Sequence, residues 1–506
     1  MLFSCSPVER GPSYRAAGNA TPRDGGTLRF ATYGQIVTLD PAREYDEISA
    51  YVVHAVHDTL LGYEPNGTRL VPHLAASWQV SPDGLVYTLA LRDGIAYSDG
   101  APIAAADFAY AIDRVRRIPD SQLQPFVANI ASVAATGREL AFTLREPDAS
   151  FPYVLAMTFT APQRANSDAS SGPFAVERWD SGVRVVLRKN QHYWDAPHVH
   201  LDAIEMRENV PRDVQFLMFE RGELDVAERL ALPDYLWVTA QPAWQPFVHA
   251  RATMNAYGSR MNVRHKPFDD RRVRQALNYA LDKQHTLKLL GGAAVAAHGI
   301  LPPGMAGRDD ELAPYPHDVA RARQLLAAAG YADGFDVEYM IPSDEEAERL
   351  AGSLQRDLAD VGVRVRITEL AFASYAAALA SANGPAFAKA GWIADFPDAA
   401  SFLDPSFGSR AISDDGSTNY AFYANPELDA LLDHARREQD EAKRAALYRR
   451  AEHILYDDAP WLWDYHQEMV EITQPYVRDY EPHPVWLRDY TYTWLDLDAN
   501  GERVAP

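Results

Sequence analysis

Residues 70–115, LVPHLAASWQVSPDGLVYTLALRDGIAYSDGAPIAAADFAYAIDRV, decide the fold. Ser81-Pro82-Asp83-Gly84 has the composition of a hairpin turn: Pro fixes one backbone angle and Gly admits the left-handed one. Residues 85–91 then read as a strand. Arg92-Asp93-Gly94 and Tyr97-Ser98-Asp99-Gly100-Ala101-Pro102 make a second and a third turn. A helix is expected from Ala105 to about Arg117, because Phe108, Ile112 and Val115 recur on one face. Short strands between three turns, closed by a helix, describe a small mixed lobe.

The pattern extends outward in both directions. Residues 27–32 alternate as a strand should, Val37-Thr38-Leu39-Asp40-Pro41 turns, and Ile48, Val52, Val56 and Leu60 give helical spacing over 46–61. Asp269 or Asp270 can cap a helix whose apolar stripe is Val273, Ala276, Leu277, Ala280 and Leu281. Further helices are expected over 319–331, stopped by Gly330, and over 345–360, with a strand over 363–367. Asn425 with Pro426 opens another helix, and 441–457 forms a second. From Tyr476 onward the chain is aromatic and reads as strand-like. No internal repeat is present.

In this order the segments resemble the bacterial extracellular solute-binding proteins of family 5, the peptide and nickel class that feeds ATP-driven (ABC) importers. The resemblance is carried by Leu74-Ala75-Ala76-Ser77-Trp78, the three turns, Gly172-Pro173-Phe174, Asn190-Gln191-His192-Tyr193-Trp194, Gly222 with Asp225, and Pro267-Phe268-Asp269-Asp270 with its helix. One departure is Ser170-Ser171, where the family has Gly-Thr before that glycine. The resemblance implies an α/β, two-lobed fold of the periplasmic-binding-protein kind (type II, large peptide-binding subclass), with an extra subdomain on the first lobe. The expected division is 1–24 as signal remnant and flexible tether; 25–45, 166–255 and 472–506 as lobe I; 46–165 as its subdomain; and 256–471 as lobe II.

Bulk properties agree with such a protein. The 506 residues exceed one ordinary core, so two or three domains are expected. Lys plus Arg is 48 against 70 for Asp plus Glu, a net charge of −22 that repels phosphate backbones and argues against nucleic acid as a partner. It favours a cationic or zwitterionic ligand. No run is long and apolar enough to span a bilayer.

Cys5 is the only cysteine, so no internal disulfide can form. Leu2-Phe3-Ser4-Cys5 resembles the end of a bacterial lipoprotein signal, in which the cysteine becomes the lipidated first residue. Only four residues precede it here, fewer than a secretory leader needs, so the reading implies a start upstream or a trimmed leader. Residues 6–24, rich in Pro, Gly, Ser, Asn and Ala, read as a tether.

The candidate site lies in Ala386-Phe387-Ala388-Lys389-Ala390-Gly391-Trp392-Ile393-Ala394-Asp395-Phe396-Pro397-Asp398. Residues of alternating size form a strand, and Phe396-Pro397-Asp398 ends it. A strand end that delivers a Trp and a carboxylate into a loop is a common way to place ligand contacts. Taken alone, the same residues also fit a buried Trp and a turn-capping Asp. The family resemblance implies that Asp395 takes the α-ammonium of a bound peptide, that Gly391 lets the ligand backbone approach, and that Trp392 forms a flat wall. Lys389, on the same side of the strand as Gly391, is the candidate for a ligand carboxylate. Tyr45, Asp46 and Glu47 are expected to contribute from the first lobe.

The same resemblance implies hinge closure around the ligand, docking on a membrane permease, a monomer, a periplasmic or cell-surface location, and no covalent chemistry. No nucleophile elbow, zinc motif or phosphate-cradling loop is present, and neither a cofactor nor a metal is expected. His54 and His57, one turn apart, lack a third ligand at metal-site spacing, and His198 and His200 read as surface-loop residues. The alternatives are the same fold holding a nickel chelate, haem, oligosaccharide or opine, or else a carbohydrate hydrolase working through paired carboxylates.

Overall fold

The computed structural model describes residues 11–119 and 121–505. Cys5, and with it the expected lipid attachment, lies outside these. The chain divides into two compact units. One takes the chain as far as Pro147, then Phe151–Arg251 and Met469–Pro506; the other takes Asp148–Ser150 and Ala252–Glu468.

The first unit contains a four-stranded sheet in the order Thr27–Ala31, Ala203–Arg207, Arg184–Lys189, Phe174–Asp180, with the first pair parallel and the others antiparallel. Leu28 and Phe30 alternate into its core beside Tyr51, Val52 and Tyr476, as the period of two requires. Gly222 and Asp225 of the family segment have structural roles. Gly222 adopts a left-handed φ of 70°, and the buried Asp225 carboxylate receives Arg29, Arg503 and the Tyr476 hydroxyl at 3.0, 2.9 and 2.5 Å. Residues 13–19, expected as tether, are bonded to this unit: Ser13 Oγ donates to Glu220 O at 3.2 Å and Asn19 N to Asp496 at 3.0 Å. Composition alone marks such a segment as loose; specific side-chain bonds hold it.

The stretch that decides the fold forms an antiparallel sheet, Ala75–Val80, Val86–Leu91, Glu139–Leu144, Ile130–Thr136. Ser81-Pro82-Asp83-Gly84 is the expected hairpin, with Gly84 at φ 71° and Ser81 Oγ accepting from Val86 N at 2.9 Å. The helix Ala105–Arg117 buries Phe108, Ala111, Ile112 and Val115.

The second unit is built on strands in the order Val363–Leu370, Phe335–Pro342, Phe387–Ile393, Asn255–Met261, with the early part of Trp461–Thr473 beyond them. One sheet face packs Met261, Phe387 and Leu462 against helices Arg271–Ala280, Val319–Ala328 and Glu345–Ala359. The other packs Ala390, Trp461 and Trp463 against Phe407, Leu428, Leu432 and Leu455. Side chains cap these helices as the sequence indicates: Asp270 accepts from Arg272 N at 2.8 Å, and Asn425 from Glu427 N at 2.9 Å.

A further expectation fails. Among the described residues beyond Tyr476 the only strands are the two-residue Val477–Arg478 and Trp494–Leu495, and the aromatic residues there pack as loop side chains. The long returning strand is Trp461–Thr473, which sequence reading left unassigned.

Gly258 shows how tight the sheet is. A Cβ there would sit 2.1 Å from the Leu462 carbonyl oxygen, a backbone atom that cannot swing aside. Gly258→Ala is expected to cost about 3 kcal/mol, the upper range for overpacking, measured as a lower urea midpoint at unchanged slope.

Candidate functional site

Strand register fixes the candidate residues. Lys389 lies opposite Ser259, Gly391 opposite Tyr257 and Trp392 opposite Ala256. Alternation therefore puts Phe387, Lys389 and Gly391 on one face, and Ala388, Ala390 and Trp392 on the other. The space beside the Gly391 Cα is filled by the Tyr257 ring, which a Cβ would meet at 2.4 Å. Tyr257 in turn stacks on Tyr465, with ring centroids 5.2 Å apart.

Two bonds to Ser401 frame the loop after the strand. The Trp392 indole N–H donates to Ser401 O at 2.6 Å, and Asp395 N donates to Ser401 Oγ at 2.9 Å. Trp392 packs against the second-unit core and lies 6.4 Å from the Tyr420 ring. Behind the loop, Asp398 and Arg444 form a buried ion pair at 3.3 Å, and Asp398 also accepts from Ala400 N at 2.9 Å. These bonds place the Asp395 backbone.

The Lys389 ammonium lies 5.8 Å from the Tyr465 ring centre. Burial pushes its pKa down, against the pull of Glu346, Asp464 and Asp344. Tyr375 Oη donates to its carbonyl oxygen at 2.6 Å. Burial also raises the Asp464 carboxyl, and burial lowers the Lys283 ammonium.

Tyr45, Asp46 and Glu47 lie in the first unit. Asp46 caps helix Glu47–Val56 by accepting from Ser49 N at 2.9 Å. Glu47 pairs with Arg229 and accepts from the Tyr51 hydroxyl at 2.5 Å. Tyr45 is exposed, with its ring 6.3 Å from Phe126. His54 stacks against Trp486 at 3.9 Å, and burial keeps His54 and His57 neutral to about 3 and about 4. Among the described residues no group of three or more His, Cys, Asp or Glu side chains could hold a metal ion. His198 and His200 pair with Asp195 and Asp24 at 2.6 and 2.8 Å.

Two charged centres were missed by sequence reading. Arg488 is fully buried with Glu228 and Glu471, and bonds Glu228 and the Tyr480 hydroxyl at 2.6 Å each. Arg260, on Asn255–Met261, is also fully buried. Neither lies in a motif, and the only local signal is a lone cation within an aromatic or strand-like run.

The model of the bacterial extracellular solute-binding proteins, family 5, matches residues 69–414. The chain belongs to this family. The resemblance read from the turn segment is confirmed, and the α/β periplasmic-binding-protein fold with it. A curated relative, glutathione-binding protein GsiB of Salmonella typhimurium, is 30% identical over 452 residues, covering 85% of this chain and 87% of GsiB. The Helicobacter pylori periplasmic binding protein DppA, solved with the peptide STSA, superposes with a TM-score of 0.79 at 27% identity, covering 94% of this chain and 99% of DppA. Clavulanic acid biosynthesis oligopeptide binding protein 2 gives 0.87 at 27% identity, covering 96% and 99%. The family-5 chain has no helix among its described residues long and apolar enough to cross a membrane.

Proposed function

We propose that this family-5 protein captures short peptides, or similar amine-bearing solutes, outside the cytoplasm and delivers them to an ABC importer. The observation that carries the reading is the strand Phe387–Ile393, which carries Trp392 near its end and leads to Asp395 in a loop bonded to Ser401. A carboxylate on a backbone held in this way suits an ammonium, whose three donors lose their water on enclosure. Trp392 supplies the flat wall, and the Lys389 ammonium is the partner for a ligand carboxylate. Gly391 holds this arrangement by admitting the Tyr257 ring. Tyr45, Asp46 and Glu47 are further contacts, with Asp46 and Glu47 also fixing their own helix end. GsiB is named for glutathione and DppA was solved with a peptide, which supports the ligand class. The protein works as a monomer by binding alone, without covalent chemistry, and Cys5 anchors it through a lipid.

Native mass spectrometry of the purified protein tests the ligand class directly. A retained mass matching a short peptide is expected, and small-angle scattering should show a smaller radius of gyration once peptide is added. A retained sugar, haem or metal chelate would overturn the peptide reading.

A further inference from the structure

The second unit buries a poorly compensated charge, Arg260. Its Nη1 donates to Pro385 O at 2.6 Å, while Nε and Nη2 are buried and have no partner. No carboxylate among the described residues pairs with it, and burial brings its guanidinium down to about 10. An isolated buried cation is costly unless something neutralises it.

The empty edge is the one this protein uses elsewhere for carboxylates. Arg29 holds Asp225 through Nε and Nη2 at 3.3 and 3.0 Å. Arg364 holds Asp336 through the same pair at 2.6 and 3.2 Å. This planar fork fits the two oxygens of a carboxylate.

Position links Arg260 to the candidate site. It pairs in register with Ala388 on one side and Trp461 on the other. It therefore shares a sheet face with Ala388, Ala390 and Trp392. The four residue steps from Ala388 to Trp392 span about 13 Å, the length of a short extended peptide. The same face carries more donors without acceptors: the indole N–H groups of Trp461 and Trp463 are buried and unpartnered. Over it packs the helix Phe372–Leu379, anchored by Tyr375 and Leu379 against Met340 and Ala388. That helix has no side-chain cap, and Phe372 is 74% exposed, so its packing is light for an element covering a buried charge.

We propose that the Nε/Nη2 fork of Arg260 is a carboxylate site that reads an acidic group of the bound solute, reached when the helix Phe372–Leu379 shifts. The peptide source of that carboxylate rests on the function proposed above; a free small organic acid carries the same chemistry.

The test measures affinities of tripeptides carrying Glu or Gln at each position, with free or amidated C-termini, for the wild type, Arg260→Met and Arg260→Lys. Thermal melting in sodium acetate against sodium chloride at equal ionic strength accompanies it. At least one carboxylate position should be preferred tenfold or more over its amide by the wild type. Arg260→Met should abolish that preference, and Arg260→Lys, which keeps charge but loses the fork, should remove most of it. Without added carboxylate, Arg260→Met should melt no lower than the wild type, because it removes an uncompensated charge. If no peptide binds but acetate raises the wild-type midpoint and not that of Arg260→Met, the site stands with a free acid as occupant, and the peptide reading fails instead. Equal affinities for acid and amide together with equal acetate responses in wild type and Arg260→Met would overturn the carboxylate site.

Discussion

Asp395→Ala is expected to lower affinity for a tripeptide with a free amino terminus by at least a hundredfold, measured by calorimetric titration. Truncating one partner of an enclosed, hydrogen-bonded charge pair costs roughly 2–5 kcal/mol, much of it from the ammonium left without a counter-ion. A hundredfold corresponds to about 2.7 kcal/mol, within that range. The bond from residue 395 to Ser401 uses the backbone N–H, so alanine retains it and the loop keeps its frame. The effect should fall on ligands with an α-ammonium; the N-acetylated tripeptide should bind wild type and variant alike. An unchanged affinity for the free-amine peptide would remove Asp395 as the amine anchor.

Arg488→Met is expected to cost about 3–5 kcal/mol of stability at neutral pH, because it leaves Glu228 and Glu471 buried without their cation. Burial already raises the Glu228 carboxyl above its ordinary range, and the guanidinium beside it holds that rise in check. In the variant the Glu228 carboxyl, deprived of that guanidinium, rises further. The native state then binds more protons than the unfolded chain between neutrality and the ordinary carboxyl range, so stability increases as pH falls. The deficit relative to wild type should therefore shrink from pH 7.5 to pH 5.5 in urea unfolding. A deficit that is absent, or equal at both pH values, would show that Arg488 does not hold these charges.

What was legible in the sequence was local. The helix Ala105–Arg117 and the hairpin at Ser81 were readable because turn chemistry and helical spacing are written within a dozen residues. The start of helix Pro426–Arg437 was readable because Asn425 caps it. The strand Trp461–Thr473 was not: it is buried along nearly its whole length, carries a register shift, and so shows no polar–apolar alternation. The aromatic tail beyond Tyr476 misled for the complementary reason, since Tyr476, Tyr480 and Tyr490 fill a core from loops. At the candidate site, the side of the strand on which Lys389 falls followed from the period of two. That Asp46 caps a helix, that Tyr257 fills the space beside Gly391, and that Arg260 lacks a counter-ion depend on partners distant in the chain, which no local pattern records.

The Arg488 cluster also bears on when the molecule can finish folding. Its members come from the beginning, middle and end of the chain: the guanidinium lies 5.2 and 4.7 Å from the ring centres of Phe30 and Tyr51 and bonds Glu228 and Glu471. During synthesis, residues 30 to 228 emerge long before the cation that completes their interior, and Glu228 meanwhile favours water over burial. The first unit therefore cannot complete this part of its interior until its final segment is present.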